Sequence, residues 1–200
     1  MPPSAPVMTA AGKTARILVA GLLAVGAVAV AACGSEEESD RSAETPVVVG
    51  ASGELASLYE RGGGLLDEGV DGYREQIAAL EGEGAVVNIW ASWCGPCREE
   101  FPYFSDLAVE RGDEVAFIGV NSFDNDDAAS TFLASSPLPY PSFFDPDEEI
   151  RNEIAPGGGG GLPATVFYDA SGEITYVKYG PYEDETALAA DVERYALGSA

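Results

Sequence analysis

Two apolar runs set the frame of this chain. Ala85 to Trp90 is apolar except for Asn88, and Val115 to Asn121 is nearly so. Runs of that length read as buried strands, Val86–Trp90 and Val115–Asn121. The 3.6-residue period takes over between and after them, with helices over Cys94–Arg111 and Asp126–Ser135 and Asp126 as the cap of the second. Pro139 to Phe144 reads as a short extended stretch and Asp147–Ile154 as a short helix. Strands at Thr165–Tyr168 and Ile174–Lys178 flank the turn Asp169-Ala170-Ser171-Gly172 and form a hairpin. Glu183–Leu197 is the last helix. Upstream, Tyr73, Ile77 and Leu80 share one face of a short helix over Tyr73–Leu80, Gly62-Gly63-Gly64 marks a turn, and Val47–Val49 fits either a short strand or a linker. A strand–helix–strand start followed by a hairpin predicts an α/β domain, with a mixed central sheet and helices on both faces.

The N-terminus has another pattern. Residues 1–16 carry Lys13, Arg16 and no acid, and Ile17 to Ala32 is an unbroken apolar run. A basic start and a short apolar stretch describe a secretory signal. Sixteen residues fall short of the roughly 20 that span a bilayer, which sets the alternative of an uncleaved anchor behind cleavage. Gly34 to about Glu44 is polar and acidic (Glu36-Glu37-Glu38-Ser39-Asp40) and reads as a disordered tether. The domain division is therefore a signal over 1–32, a tether over 33–46 and a folded domain over 47–200, its core about 70–197.

Charge and composition narrow the functions. The 200-residue chain has a formal net charge of −24, and all 34 acidic residues follow residue 32. Such a surface excludes nucleic-acid binding and flat adhesion to anionic lipid. There is no histidine, so the usual general base and commonest metal ligand are missing. Gly157–Gly161 is followed by no Lys-Ser or Lys-Thr and opens no helix, so it is a flexible connection rather than a phosphate loop.

The chemistry concentrates in Trp93-Cys94-Gly95-Pro96-Cys97. Two thiols three positions apart at a helix start can close and open a disulfide. Unpaired N–H groups and the positive end of the helix dipole favour thiolate there, the reactive form. Pro96 suits the first turn, where a missing N–H costs nothing. Half of a zinc site is the alternative, but zinc needs further ligands and only Cys33 is left.

The run Trp90-Ala91-Ser92-Trp93-Cys94-Gly95-Pro96-Cys97-Arg98-Glu99-Glu100-Phe101-Pro102, with Gly161-Leu162-Pro163-Ala164-Thr165 further on, resembles the thioredoxin superfamily and, within it, the membrane-tethered TlpA/ResA-like proteins. The likeness covers about residues 70–197 and implies a thioredoxin-like fold and thiol-disulfide oxidoreductase activity. It makes Cys94 the exposed attacking thiol, Cys97 the buried resolving thiol, Pro163 a cis-proline facing the disulfide and Pro102 a kink in the active-site helix. Glu100 matches an acid held near the cysteines, the alternative being a surface acid beside Glu99. Trp93 would pack beside the disulfide. Trp93, Gly95, Pro96, Leu162 and Pro163 would meet the substrate chain, Leu162 through its backbone. Val30-Ala31-Ala32-Cys33 is similar to a bacterial lipobox, implying lipid on Cys33 and an extracytoplasmic, membrane-anchored domain. The implied partners are client protein thiols and a membrane thiol-reductant donor, with no metal and no cofactor beyond the redox-active disulfide. The leading use is reduction of clients such as apocytochrome c cysteines; oxidation of secreted proteins and non-catalytic client binding are the alternatives. A peroxiredoxin reading lacks its Thr-x-x-Cys, and copper delivery lacks its wider cysteine pair and histidine. Two departures stand out. Residues 65–82 read as helical where the family has a β-hairpin, and the segment before Gly161 is glycine-rich.

Overall fold

The computed structural model of the protein describes residues 43–157 and 161–198. The signal over 1–32, Cys33 and the tether up to residue 42 lie outside the described residues, as do residues 158–160 of the glycine run. Elements follow in the order α1 (Gly53–Tyr59), β1 (Leu65–Leu66), α2 (Gly69–Ala79), β2 (Gly84–Trp90), α3 (Gly95–Arg111), β3 (Val115–Ser122), α4 (Asp126–Ser135), β4 (Ser142–Asp145), α5 (Glu149–Ile154), β5 (Ala164–Tyr168), β6 (Ile174–Tyr179) and α6 (Glu185–Asp191), which runs into a π-helical turn, Val192–Ala196. The six strands lie in the order β1-β4-β3-β2-β5-β6. β1, β4, β3 and β2 pair in parallel, whereas β5 and β6 join antiparallel. This is the expected mixed sheet.

Every residue of β2, β3 and β5 is buried. That explains why β2 and β3 read as continuous apolar runs rather than alternating ones. The pleat still sorts them. Val86, Trp90, Phe117 and Phe167 face α3, α4, α6 and the π turn, while Val87, Ile89, Ile118 and Val166 face α1, α2 and α5. Trp90 anchors the first layer. Its ring meets Phe101 edge-on at 4.9 Å, and its Nε1 donates to the Ser142 hydroxyl at 3.1 Å. Gly119 makes that bond possible, since a Cβ there would lie 2.0 Å from the Ser142 oxygen.

β4 pairs with β3 only over Gly119–Ser122, leaving the start of β3 without a ladder partner on that side. Tyr59 of α1 supplies one. Its hydroxyl donates to the Val115 carbonyl at 2.8 Å and accepts from the Phe117 N–H at 3.1 Å. An unpaired buried backbone group costs free energy comparable to a lost hydrogen bond, so Tyr59 ties α1 to the start of β3, beside the buried Leu55 and Leu58.

The structure corrects several expectations. Of the two readings of Val47–Val49 the linker holds, since no strand forms there and Val47 and Val49 are exposed. Residues 65–82 are not wholly helical, since Leu65–Leu66 is a strand on β4 and α2 begins at Gly69. Asn125, not Asp126, caps α4, its side-chain oxygen accepting from the Ala128 N–H at 3.2 Å. Four residues at the end of the proposed tether already lie on the domain, where the Ala43 N–H donates to the Ala134 carbonyl at 3.1 Å. Among the described residues no helix is long and apolar enough to cross a membrane.

Candidate active site

Three loops meet at one end of the sheet. β2 delivers Ala91–Cys94 from its C-terminal end, and parallel β3 delivers Phe123–Asn125 from the same end. Antiparallel β5 starts there, with Ala164 opposite Ile89, so Leu162 and Pro163 arrive beside the cysteine loop. The Leu162–Pro163 bond is cis. The Pro163 carbonyl accepts from the Gly180 N–H at 2.9 Å, and Leu162 packs against both apolar layers.

Cys94 is the N-cap of α3 and is bonded to Cys97, with the two Cα atoms 5.3 Å apart. The Cys97 N–H donates to Cys94 Sγ at 3.2 Å. This is the helix-start environment that the sequence pointed to, with a backbone donor aimed at the sulfur that would carry the charge. Gly95 and Pro96 are exposed on the first turn, and Pro102 lies inside α3.

Cys94 differs from its expected exposure. It is only 4% exposed and Cys97 is 0%. In the oxidised form both cysteines are therefore buried, Cys94 the less completely. Trp93 is 58% exposed, and its ring stands edge-on to Phe123 with centroids 6.2 Å apart. Its Nε1 donates to the Phe123 carbonyl at 2.9 Å.

Glu100 is not a surface acid. It is 1% exposed and lies three residues after Cys97, on the same face of α3. One carboxylate oxygen accepts from the Tyr182 N–H at 3.0 Å and the other from the Asn88 amide at 3.3 Å. Burial pushes its carboxyl up to about 7, against the Tyr182 and Asn88 hydrogen bonds and the Lys178 ammonium, which hold it down. Lys178 sits over the Tyr182 ring at 4.5 Å and donates to the Gly180 and Pro181 carbonyls, fixing the loop that clamps Glu100. A carboxyl that changes charge near neutrality is therefore buried one helical turn from the disulfide.

The sequence did not single out Asp124. Burial pushes its carboxyl up, but hydrogen bonds from the Ser92 N–H, the Asn121 amide, the Asn125 N–H and the Ser92 hydroxyl outweigh that and hold it below the usual carboxylate range. Asp124 thus ties the segment just before Cys94 to the β3–α4 loop. Asn88 was also missed, although as the one polar residue of its run it carried a signal.

A family model described as Redoxin matches residues 45–193. Thiol-disulfide oxidoreductase ResA of Oceanobacillus iheyensis is 32% identical over 118 residues, 58% of this chain and 59% of that protein. Thiol:disulfide interchange protein DsbE of Pseudomonas fluorescens biotype C is 41% identical over 97 residues, 48% of this chain and 52% of that protein. The chain thus spans a little over half the length of these curated relatives. Among solved structures, a thioredoxin family thiol:disulfide interchange protein from Chlorobium tepidum superposes with a TM-score of 0.53 at 26% identity, covering 59% of this chain and 83% of that one. A secreted Mycobacterium tuberculosis disulfide oxidoreductase homologous to E. coli DsbE gives 0.52 at 27%, covering 58% and 85%. With its fold, its Cys94–Cys97 disulfide and these relatives in agreement, the chain belongs to the Redoxin family, as a ResA-like member of the thioredoxin superfamily.

Proposed function

We propose that the protein is a thiol-disulfide oxidoreductase that works outside the cytoplasm, held at the membrane by lipid on Cys33, and that it serves chiefly as a reductant. The observation that carries this reading is the Cys94–Cys97 pair, bonded across the first turn of α3 with a buried titratable carboxyl one turn away. The names of the relatives support exchange chemistry, and the site residues support its steps.

In the reduced protein Cys94 thiolate attacks a client disulfide. The client S–S bond breaks, a Cys94–client bond forms, and the first client sulfur leaves as thiolate and takes a proton from water. Cys97 then gives its proton to the Glu100 carboxylate and attacks Cys94. The mixed disulfide breaks, the second client sulfur leaves and is protonated, and Cys94–Cys97 closes. The client gains two electrons and two protons: the pair gives up both electrons and the Cys97 proton, which passes from Glu100 to the second leaving sulfur, and water supplies the other proton. A dithiol donor in the membrane restores the pair by the same exchange in reverse. Gly95 and Pro96 lie between the cysteines, Leu162 and Pro163 lead into β5 at the same end of the sheet, and together they receive the client chain, the Leu162 backbone as a strand edge. Reduction of apocytochrome c cysteines is the leading use, on the strength of the family resemblance.

Direction is a matter of potential. Gly95-Pro96 is the dipeptide of thioredoxin, so equilibration of the full chain with glutathione is expected to place the pair toward roughly −270 mV. A value near roughly −120 mV would make the protein an oxidant of secreted chains.

The anchor rests on Val30-Ala31-Ala32-Cys33 following the apolar run. Cys33→Ala is expected to move the protein out of the membrane fraction or leave it unprocessed. A variant still cut after Ala32 and still lipid-modified would contradict the anchor.

A further inference from the structure

Phe123 combines three features that packing alone does not explain. It is 63% exposed, beside Trp93 at 58%. Its backbone is left-handed, with φ 54°, a conformation that is uncommon for any residue other than glycine and unfavourable for a bulky one. And that backbone is held on both sides. Its N–H donates to the Asp145 carbonyl at 3.2 Å, and its carbonyl accepts from Trp93 Nε1. Next along the chain, the Asp124 carboxylate gathers donors from Ser92, Asn121 and Asn125. The surrounding framework thus forces an aromatic ring outward into water at the residue that touches the tryptophan preceding the attacking cysteine. Backbone strain persists where the surroundings over-determine it, and such places cluster at functional sites.

We infer that Trp93 and Phe123 form a two-ring docking surface for an apolar side chain next to the client's reacting cysteine, in an extended client segment. This rests on the exchange reading above and names the class of client that the site selects. The occupant follows from continuity. Trp93 is joined directly to Cys94, so a client segment held at Cys94 by a mixed disulfide passes within reach of the two rings. The indole N–H is already spent on the Phe123 carbonyl, which leaves the pair of rings to offer apolar surface rather than a free donor. Asp124 holds the two loops together and so acts as a positioning residue for the surface.

The test uses the pre-reduced full chain and two synthetic disulfide peptides, identical except for phenylalanine or serine next to the cysteine, with glutathione disulfide as a third substrate. Phe123→Asn removes the ring, and asparagine tolerates left-handed backbone better than most residues, so the fold is retained. The parent is expected to reduce the phenylalanine peptide about tenfold faster than the serine peptide, equivalent to about 1.4 kcal/mol of recognition. In Phe123→Asn that ratio is expected to fall to about 1–2, a loss of about 0.9 kcal/mol or more. Equal rates with both peptides in the parent, or an unchanged ratio in the variant, would overturn the inference while leaving exchange intact. A parent dimer that Phe123→Asn dissolves would overturn it too, by showing that the rings meet a second copy. A parent that reduces none of the three disulfides would bring down the exchange reading itself.

Discussion

Cys97→Ala is expected to turn the protein into a trap. Reduced Cys97→Ala, mixed with a protein or peptide disulfide, should accumulate as a covalent adduct through Cys94 and stay there until an external thiol is added. Cys94 sits at the N-cap of α3 with the Cys97 N–H directed at its sulfur, whereas Cys97 is wholly enclosed among the layer that contains Phe101 and Phe104. In the proposed exchange, attack from outside begins at Cys94, and only a thiol already beside it can resolve the product. Removing Cys97 deletes the second step and leaves the first; its backbone N–H survives in alanine, so the donor to Cys94 is kept. Cys94→Ala deletes the first step, and exchange should drop to the solution background with no adduct. Non-reducing gels or intact mass decide the matter. Equal adduct with both variants would mean that the order of attack is wrong.

Glu100→Gln carries the second large effect, and its sign is fixed by burial. The carboxyl is raised to about 7 in the folded protein from an ordinary value of 4.5. A raised acid favours folding while protonated, so its contribution is complete below about 4.5, falls as pH rises to about 7, and is level above that. The shift corresponds to about 3 kcal/mol. Glutamine keeps the shape and cannot ionise. The stability of Glu100→Gln relative to the parent should therefore climb by about 3 kcal/mol between pH 4.5 and 8, whatever constant offset the amide adds by turning its NH2 toward Tyr182 or Asn88. The pH profile of exchange should also lose its inflection near 7, because the proton acceptor for Cys97 is gone. Glu99→Gln is the control, one residue along on the exposed side of α3. Urea midpoints and exchange rates across that range test both statements. Coincident profiles for parent and Glu100→Gln would show that this carboxyl takes no part.

The central frame was legible because its signals are long or redundant. β2 and β3 are buried on both sides, so their residues had to be apolar, and the Gly172 turn specified the β5–β6 hairpin. The cysteines three positions apart, with Pro96 between them, marked the start of α3. Short elements were hidden. α1 has seven residues, two turns at most, and its position depends on Tyr59 reaching the unpaired start of β3, a long-range contact that no local pattern encodes. β1 is two residues long and exists only because β4 lies alongside. At α4 the sequence Asn125-Asp126-Asp127 offers three capping candidates in a row, and backbone geometry selects the first. The site was legible in kind but not in depth. Glu99 and Glu100 look alike in an acidic helix, and only the packing of α3 against β2 and the Tyr182 loop buries one and exposes the other. Phe123 sits in a stretch of polar and acidic residues that reads as plain loop, so its exposed, left-handed setting beside Trp93 could be seen only in three dimensions.

The central claim is that Cys94 and Cys97 form one reversible two-electron couple. The most direct measurement is the titration of the full chain in graded glutathione buffers, with acid quenching, alkylation and intact mass read at each point. A single transition is expected, in which both cysteines gain or lose the alkylating group together with a two-electron slope of about 30 mV per tenfold change in the ratio, while Cys33 takes no part in it. Cysteines that alkylate independently, or a pair that stays in one state across the whole range, would contradict it.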